Sequence, residues 1–248
     1  MSIAIITINK AGRDLAKKLK AGFPDAEIFS NLTANKAALK KLVKRVFDEY
    51  DGLIFIAAAG ITVRLVGPLA KNKLSDPAVV SIDSAGRFAI SILSGHEGGA
   101  NQLTFIAAAC LGAMPVVTTG KDVHKRIIVG VGSRRGIKAA QVTLALRGAL
   151  RKAKIGLNEI RLIATIDLKK NEHGLLRACA DLKLPLVFIS KEEIKNFNAS
   201  ISESKVARRY LGVRGVCEPC ALLAGRRSKL IAKKEILNGV TVAIAKEN

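Results

Sequence analysis

The sequence predicts an α/β protein made of two α/β domains, each a largely parallel sheet flanked by helices. Short apolar runs alternate with amphipathic segments, which is typical of strand–helix–strand units with parallel strands. Hydrophobic residues make up 49% of the 248 residues, as in globular proteins, and tryptophan is absent. The alternation restarts after "TGKDVHK" (119–125), so we place the domains at 1–122 and 126–248.

The first half opens with the apolar run "IAIITI" (3–8) and the amphipathic segment "GRDLAKKLK" (12–20), which predict a strand and a helix. The next patterns predict, in order, a strand at 26–30, a helix with one apolar face at 35–50, a buried strand at 52–60, strands at 77–83 and 87–93 around the tight turn "SAG", a helix at 101–112 and a strand at 114–119.

The second half repeats this alternation. It predicts a strand at 126–132, a helix at 137–153, a strand at 159–166, a helix at 172–183, a strand at 184–190, a polar loop at 195–204, a helix at 218–225 and a strand at 241–245.

The net charge of +21 is unevenly distributed. Residues 1–125 carry 16 basic and 10 acidic side chains, net +6, whereas residues 126–248 carry 25 and 10, net +15. Such a field attracts polyanions, either nucleic acid or a small molecule with many carboxylates. No uncharged apolar run reaches the ~20 residues of a membrane span, and no signal peptide is evident, so we expect a soluble, cytoplasmic protein.

The four cysteines, Cys110, Cys179, Cys217 and Cys220, are expected to be reduced thiols. Cys217 and Cys220 have CxxC spacing, which is compatible with a redox pair or half of a zinc site. No second CxxC and no paired histidines complete such a site, so we predict no metal site.

Ligands of open α/β sheets bind in loops that follow strands, and "LSGHEGGAN" (93–101) is such a loop. Its glycines allow a ligand close to the backbone, and the start of the next helix favours an anion. Ser94, His96 and Asn101 stand among them. We interpret this stretch as a candidate site; the alternative is a tight turn with an exposed histidine.

Two further loops carry candidate cations. "GVGSRRG" (130–136) has GxGxxxG spacing rather than the GxGxxG of a dinucleotide site, so Arg134 and Arg135 are interpreted as a fork for carboxylates. The alternative is a solvated basic turn. Arg64 lies in an apolar context and is either a binding residue or the partner of Asp76 or Asp83.

These stretches together resemble the cobalamin biosynthesis protein CbiG family. In the first half the resemblance rests on "AAAGITVRLVGPLAKNKLSDPAVVSIDSAGRFAISILSGHEGGANQL" (57–103) and "MPVVTTGKD" (114–122). In the second half it rests on "VGVGSRRG", "ATIDLKKNEHGLL", "GVCEPCALLAG" and "GVTVAIA".

The resemblance implies a cobalt-precorrin-5A hydrolase, which opens the δ-lactone of cobalt-precorrin-5A and releases acetaldehyde to give cobalt-precorrin-5B in anaerobic cobalamin (vitamin B12) biosynthesis. It implies a polycarboxylate cobalt-corrinoid substrate, which suits the basic surface, and contact with other cobalamin-pathway enzymes. No cofactor of the protein itself is expected, because cobalt is carried within the substrate.

The chain departs from the family pattern in two ways. Family members usually have a middle segment between the domains, whereas here "TTGKD" runs into "VHKRIIVGVG" with almost no linker. Ser133 stands where the family often has cysteine.

For the implied reaction, His96 is predicted as the general base and Glu218 as a second catalytic acid–base group. The N–H groups of Gly98 and Gly99, with Ser94 or Asn101, are predicted to stabilise the oxyanion. The remaining predicted substrate-binding residues are Gly60, Arg64, Lys73, Gly95, Thr118, Thr119, Gly132, Arg134 and Arg135.

Two alternatives stay open. One is a non-catalytic tetrapyrrole-binding protein of the same pathway, favoured if the missing middle segment is essential. The other is a basic nucleic-acid-binding protein, but two tyrosines and no tryptophan offer little for base stacking, so nucleic acid is not expected as the partner.

Overall fold

The computed structural model describes residues 1–8, 12–30, 36–120, 122 and 124–247. Asn35, in a predicted helix, and Lys121 and Val123, in the predicted boundary stretch, lie outside these residues. The chain divides into two compact units, Met1–Val123 and His124–Asn248. Within the described ranges, no helix combines the length and apolar character needed to span a bilayer.

The first unit is a six-stranded sheet with helices on both faces, which confirms the predicted α/β class. Its elements are β1 (Ile3–Thr7), α1 (Gly12–Leu19), β2 (Glu27–Phe29), α2 (Lys36–Glu49), β3 (Gly52–Ile56), α3 (Ala59–Val66), β4 (Ala78–Ile82), β5 (Phe88–Leu93), α4 (Ala100–Leu111) and β6 (Met114–Val116).

Both faces of this sheet are buried, which explains the continuous apolar character of its central strands. Successive side chains of β1 point to opposite faces: Ile3 and Ile5 join the core beneath α1 and α4, whereas Ala4 and Ile6 join the core beneath α2. All four are buried. Aliphatic residues therefore form two cores, one on each side of a single sheet.

The strand order is β2-β1-β3-β4-β5-β6, and every neighbouring pair is parallel except β4 and β5. In the antiparallel pair, Leu93 at the end of β5 faces Val79 near the start of β4. The loop after β5 therefore lies at the opposite edge of the sheet from the loops after β1, β3 and β4. The loops that follow strands in this unit consequently do not share one edge.

The second unit contains a five-stranded sheet in the order β10-β11-β7-β8-β9. Its elements are β7 (Ile127–Ser133), α5 (Ala139–Ala153), β8 (Ile160–Ile166), α6 (His173–Asp181), β9 (Leu186–Ile189), α7 (Lys191–Lys195), α8 (Lys205–Leu211), α9 (Cys217–Leu223), β10 (Ser228–Leu237) and β11 (Val240–Glu247). Only β7, β8 and β9 are parallel, because a C-terminal hairpin of β10 and β11 pairs antiparallel with β7.

Helix α9 packs directly on the backbone of β7. A side chain at Gly130 would place its Cβ 1.8 Å from the carbonyl oxygen of Cys217. Buried residues of α9, Cys217 and Ala221, lie at this contact. The glycine of "GVGSRRG" at position 130 is therefore required for helix–strand packing, which accounts for it without a dinucleotide.

We expect Gly130→Ala to destabilise the protein by about 3 kcal/mol, because the added methyl group must push α9 off β7. Urea denaturation followed by circular dichroism measures the change. Gly148→Ala is the control: it lies inside α5, its Cβ would meet only Leu237 at 3.9 Å, and up to about 1 kcal/mol of stabilisation is expected. An unchanged urea midpoint for Gly130→Ala would contradict the close contact.

Candidate functional site

The loop between β5 and α4 is a tight turn with two left-handed residues, Ser94 (φ 57°) and Gly99 (φ 88°). A Cβ at Gly98 would lie 2.4 Å from the Cβ of Ser94, so only glycine fits at position 98. The turn brings the end of the strand back under the start of the helix, where the N–H groups of Ala100 and Asn101 donate to the carbonyl oxygens of Ser94 and Gly95.

His96 projects from this turn and contacts a buried carboxylate. Its Nδ1 lies 3.0 Å from Oδ2 of Asp122, and its side chain is 41% exposed, whereas that of Asp122 is 5% exposed. The same Oδ2 accepts a hydrogen bond from Nδ2 of Asn101 at 2.7 Å. The imidazole therefore has one nitrogen anchored to the protein while the ring reaches solvent.

Asn101 is the centre of this hydrogen-bond network. Its Nδ2 also donates to Oγ1 of Thr119 at 2.7 Å, and its Oδ1 accepts from the hydroxyl of Ser91 at 2.9 Å. Both amide hydrogens are thus used inside the protein, which argues against the prediction that Asn101 donates to an oxyanion. Asn101 instead joins three segments of the chain.

The predicted oxyanion donors differ in their availability. The N–H groups of Gly98 and Gly99 donate to no other described atom, so they remain candidates. The hydroxyl of Ser94 has no partner among the described residues, but it is buried, so it cannot meet a substrate without a movement of the turn. Thr118 is exposed beyond the end of β6.

Asp122 is the site residue that sequence reasoning missed. It ends "MPVVTTGKD", a stretch that carries the family resemblance and contains the predicted Thr118 and Thr119, but the sequence does not single out its carboxylate. Its burial next to a glycine-rich loop is a tertiary property, and the sequence gives no direct signal for it.

Lys73 approaches the same loop. Its Nζ lies 3.3 Å from Oε1 of Glu97, the neighbour of His96, and both side chains are exposed. Gly60, in contrast, is exposed at the start of α3, at the opposite edge of the sheet from Ser94. The structure therefore brings Lys73 to the His96 loop but leaves Gly60 away from it.

Arg64 is exposed on α3 and pairs with neither predicted acidic partner. Asp76 accepts the N–H groups of Lys71 and Asn72, at 2.7 and 2.9 Å. Asp83 forms its ion pair with Arg87 at 3.0 Å. The predicted structural pair is wrong, and binding stays the prediction for Arg64.

In the second unit, the turn after β7 holds Arg134 and Arg135 in exposed positions. The N–H of Arg134 donates to Gly239 at 3.0 Å, and that of Gly136 donates to Oε1 of Glu172 at 2.9 Å. The backbone is thus fixed on both sides of the two guanidinium groups. Such a turn can present two cations to carboxylates with little loss of backbone entropy.

Gly132 packs against the hairpin rather than facing a ligand. The hydroxyl of Thr241, on β11, donates to its carbonyl oxygen at 3.2 Å. This contact argues against the predicted substrate-binding role of Gly132.

Glu218 is buried in α9 and accepts three hydrogen bonds. The N–H and hydroxyl of Ser202 and the N–H of Lys234 donate to it at 2.6, 2.9 and 2.8 Å. Burial raises its pKa, but these donors outweigh burial and the net pKa lies below its ordinary value. A carboxylate held in this way links a loop to β10, which argues against the predicted acid–base role.

The CxxC thiols are also structural. Cys217 and Cys220 are free and buried. Burial raises the pKa of Cys217 to about 11 and that of Cys220 well above its usual value. Thiols that resist ionisation are poor nucleophiles and poor metal ligands, so the geometry favours packing over redox or zinc chemistry.

Two family descriptions match the chain. "Cobalamin synthesis G N-terminal" matches residues 41–122, and "Cobalamin synthesis G C-terminus" matches residues 127–245. The chain belongs to the CbiG family. The resemblance found in the sequence is thereby confirmed, and the CbiG match in the first half ends at the carboxylate that contacts His96.

Relatives match the CbiG chain over nearly its full length. The cobalt-precorrin-5A hydrolase of Priestia megaterium is 24% identical, with 98% of this chain and 94% of the relative covered. The cobalt-precorrin-5A hydrolase of Salmonella typhimurium is 25% identical, with 98% and 97% covered. A crystal structure of a cobalamin biosynthesis protein G homologue from Sulfolobus solfataricus is 20% identical, with a TM-score of 0.41, 100% of this chain and 97% of that one covered.

The relatives are longer than this CbiG chain. The alignment with the Priestia protein extends over 352 residues against 248 here, so more than a hundred of its positions have no counterpart. Only residues 123–126 separate the two family matches. The chain thus has almost no room for a segment between them.

We expect Glu218→Gln to lower stability at neutral pH by about 1–3 kcal/mol, because each carboxylate oxygen accepts a backbone N–H and an amide NH₂ must face one of them. The pKa of Glu218 is lower in the folded state, so its contribution is complete above the unfolded pKa of about 4.3 and is lost as the pH falls through the folded pKa.

Urea midpoints of wild type and variant should therefore converge in acid. Glu192→Gln, an exposed change in the same unit, is the control and should differ little from wild type at either pH. A constant gap between wild type and Glu218→Gln down to about pH 3 would contradict the assignment.

Proposed function

We propose that this CbiG-family chain is a cobalt-precorrin-5A hydrolase. The observation that carries the proposal is the half-exposed imidazole of His96, anchored to buried Asp122 beside the glycine-rich start of α4. An imidazole accepts protons near neutral pH and so serves as a general base. Two curated relatives that match almost the whole chain carry this enzyme name.

The first step is hydrolysis of the lactone. His96 takes a proton from water, and the water oxygen bonds to the lactone carbonyl carbon. Negative charge develops on the carbonyl oxygen, where the N–H groups of Gly98 and Gly99 are the available donors. Collapse breaks the ring carbon–oxygen bond, and the leaving oxygen takes the proton back from His96. The products are a carboxylic acid and a free hydroxyl group.

The second step releases the two-carbon fragment. Loss of the hydroxyl proton forms the carbonyl of acetaldehyde as the adjacent carbon–carbon bond breaks. The electron pair of that bond remains on the macrocycle, whose carbon takes up a proton. Both steps begin with removal of a proton from oxygen, so His96 can serve in each.

Cations would hold the carboxylates of the substrate. Arg134 and Arg135 are exposed on a fixed turn, and Lys73 and Arg64 are exposed in the first unit. Cobalt enters within the substrate, and no cofactor of the protein takes part in this scheme. The substrate is a pathway intermediate, so we place the protein in the cytoplasm with the other cobalamin-pathway enzymes.

A second candidate is a non-catalytic tetrapyrrole-binding protein. It is favoured by the hundred or more positions that the Priestia hydrolase has and this chain lacks. Titration with cobalt-precorrin-5A, followed by an assay for acetaldehyde, separates the two: a carrier binds the corrinoid without releasing acetaldehyde. Duplex and single-stranded nucleic acid at moderate salt should bind more weakly than the corrinoid.

We expect His96→Gln to lower kcat for acetaldehyde release by about 10²–10⁴-fold, because glutamine fills similar space but accepts no proton at neutral pH. Substrate binding should persist. The control is His173→Gln, an exposed histidine at the start of α6, which should turn over like wild type. Near wild-type turnover of His96→Gln would eliminate His96 as the base.

We expect Arg134→Gln and Arg135→Gln each to raise KM by about 10-fold with little change in kcat, because a lost charge-assisted hydrogen bond weakens ground state and transition state alike. Arg147→Gln, on an exposed position of α5, removes the same charge from the same unit and is the control. If all three variants raise KM equally, general charge rather than the turn attracts the substrate.

A further inference from the structure

We propose that Asp122 is a positioning residue that fixes the tautomer of His96, so that Nε2 is the atom that accepts the proton from water. This inference rests on the proposed hydrolase function. It assigns a role to a carboxylate that would not itself touch the substrate.

The contact with Nδ1 determines where the ring proton lies. An ionised carboxylate has acceptors only, so Nδ1 of His96, 3.0 Å from Oδ2 of Asp122, must be the donor. In neutral imidazole one nitrogen carries the proton and the other has the lone pair. With the proton held on Nδ1, the lone pair is on Nε2.

Asn101 holds the carboxylate in place and offers it a hydrogen bond. Its Nδ2 donates to the same Oδ2 at 2.7 Å, and a hydrogen bond to the charged form of an acid favours that form. Asp122 is 4% exposed, so water competes little for this oxygen. Two donors thus converge on a single carboxylate oxygen.

The position of Asn101 is itself determined by its neighbours. It stands in the first turn of α4, its Oδ1 accepts from Ser91 on β5, and its Nδ2 also donates to Thr119 beyond β6. The amide that donates to Asp122 is therefore held by two other segments of the chain. This network makes the ring orientation a property of the folded unit rather than of the loop alone.

Nitrogen-15 NMR of the full chain with labelled histidine tests the proposal without an activity assay. The chain has three histidines, and the spectrum of His96→Gln identifies the signals of His96. In the neutral ring of wild type we expect the proton on Nδ1. Asp122→Ala should lose this preference, and kcat should fall by about 10²–10⁴-fold with KM within about 3-fold.

Asp122→Asn separates the hydrogen bond from the charge. Because Asn101 donates to the oxygen that faces His96, the new amide should place its own oxygen there and keep the proton on Nδ1. Its kcat should fall less than that of Asp122→Ala. Asp83→Asn is the matched control in the same unit, at the far end of β4, and should leave both the His96 signals and turnover unchanged.

The outcomes are distinct. Persistence of the Nδ1 proton in Asp122→Ala overturns the positioning role. A changed spectrum with unchanged turnover supports control of the ring by Asp122 but overturns His96 as the base and thus the proposed mechanism. If Asp122→Ala fails to fold, the wild-type spectrum decides: a neutral His96 ring that carries its proton on Nε2 rather than Nδ1 overturns the proposal.

Discussion

The reversal of β5 determines where His96 and Asp122 meet in the first unit. Because β5 is antiparallel to β4, the C-terminal end of β5 lies at the edge of the sheet at which β3 and β4 begin. Strand β6 is parallel to β5, so the C-terminal end of β6 lies at the same edge. His96 and Asp122, 26 residues apart in sequence, follow these two strands and meet there. In a fully parallel sheet the His96 loop would have lain at the opposite edge, with Gly60.

Buried carboxylates fix the loops of both units. Asp76, Glu172 and Glu218 each accept at least two backbone N–H groups, because an isolated charge in the interior would cost much more than a paired one. Glu172 also forms an ion pair with Lys169, whose Nζ lies 2.8 Å from its Oε2. Arg134 and Arg135 are exposed on the turn whose backbone Glu172 holds, so the guanidinium groups can meet a ligand while the turn stays fixed.

Elements with a clear periodicity of apolar residues could be predicted from the sequence. The other elements show why such a prediction fails elsewhere. Helix α5 and strand β8 match their predicted segments closely, since an amphipathic face and a continuous apolar run are local patterns. Strand β10 was not predicted. Shifts in its pairing with β11, between Leu230 and Ala232 and between Ala232 and Glu235, interrupt the alternation of side chains that identifies a strand. Its lysines are typical of an exposed edge strand and do not give the usual apolar pattern.

The candidate site shows the same limit. The turn "SAG" predicts the hairpin of β4 and β5. The edge of the sheet at which the His96 loop then lies depends on the order of all six strands. The glycines and His96 could be identified as a candidate site because they lie close together in the sequence. The role of Asp122 depends on burial and on Asn101, which no spacing encodes.

The groups proposed for proton transfer and for carboxylate binding are held by contacts in different units. His96, Asn101 and Asp122 all lie in the first unit, and the hydrogen bonds described above join them to one another, to Ser91 and to Thr119 in that unit. The turn of Arg134 and Arg135 is closed within the second, through Gly239 and Glu172. Neither arrangement needs a residue from a segment between the family matches at 41–122 and 127–245. The hydrogen bonds that hold His96 and the turn of Arg134 and Arg135 are therefore formed without such a segment.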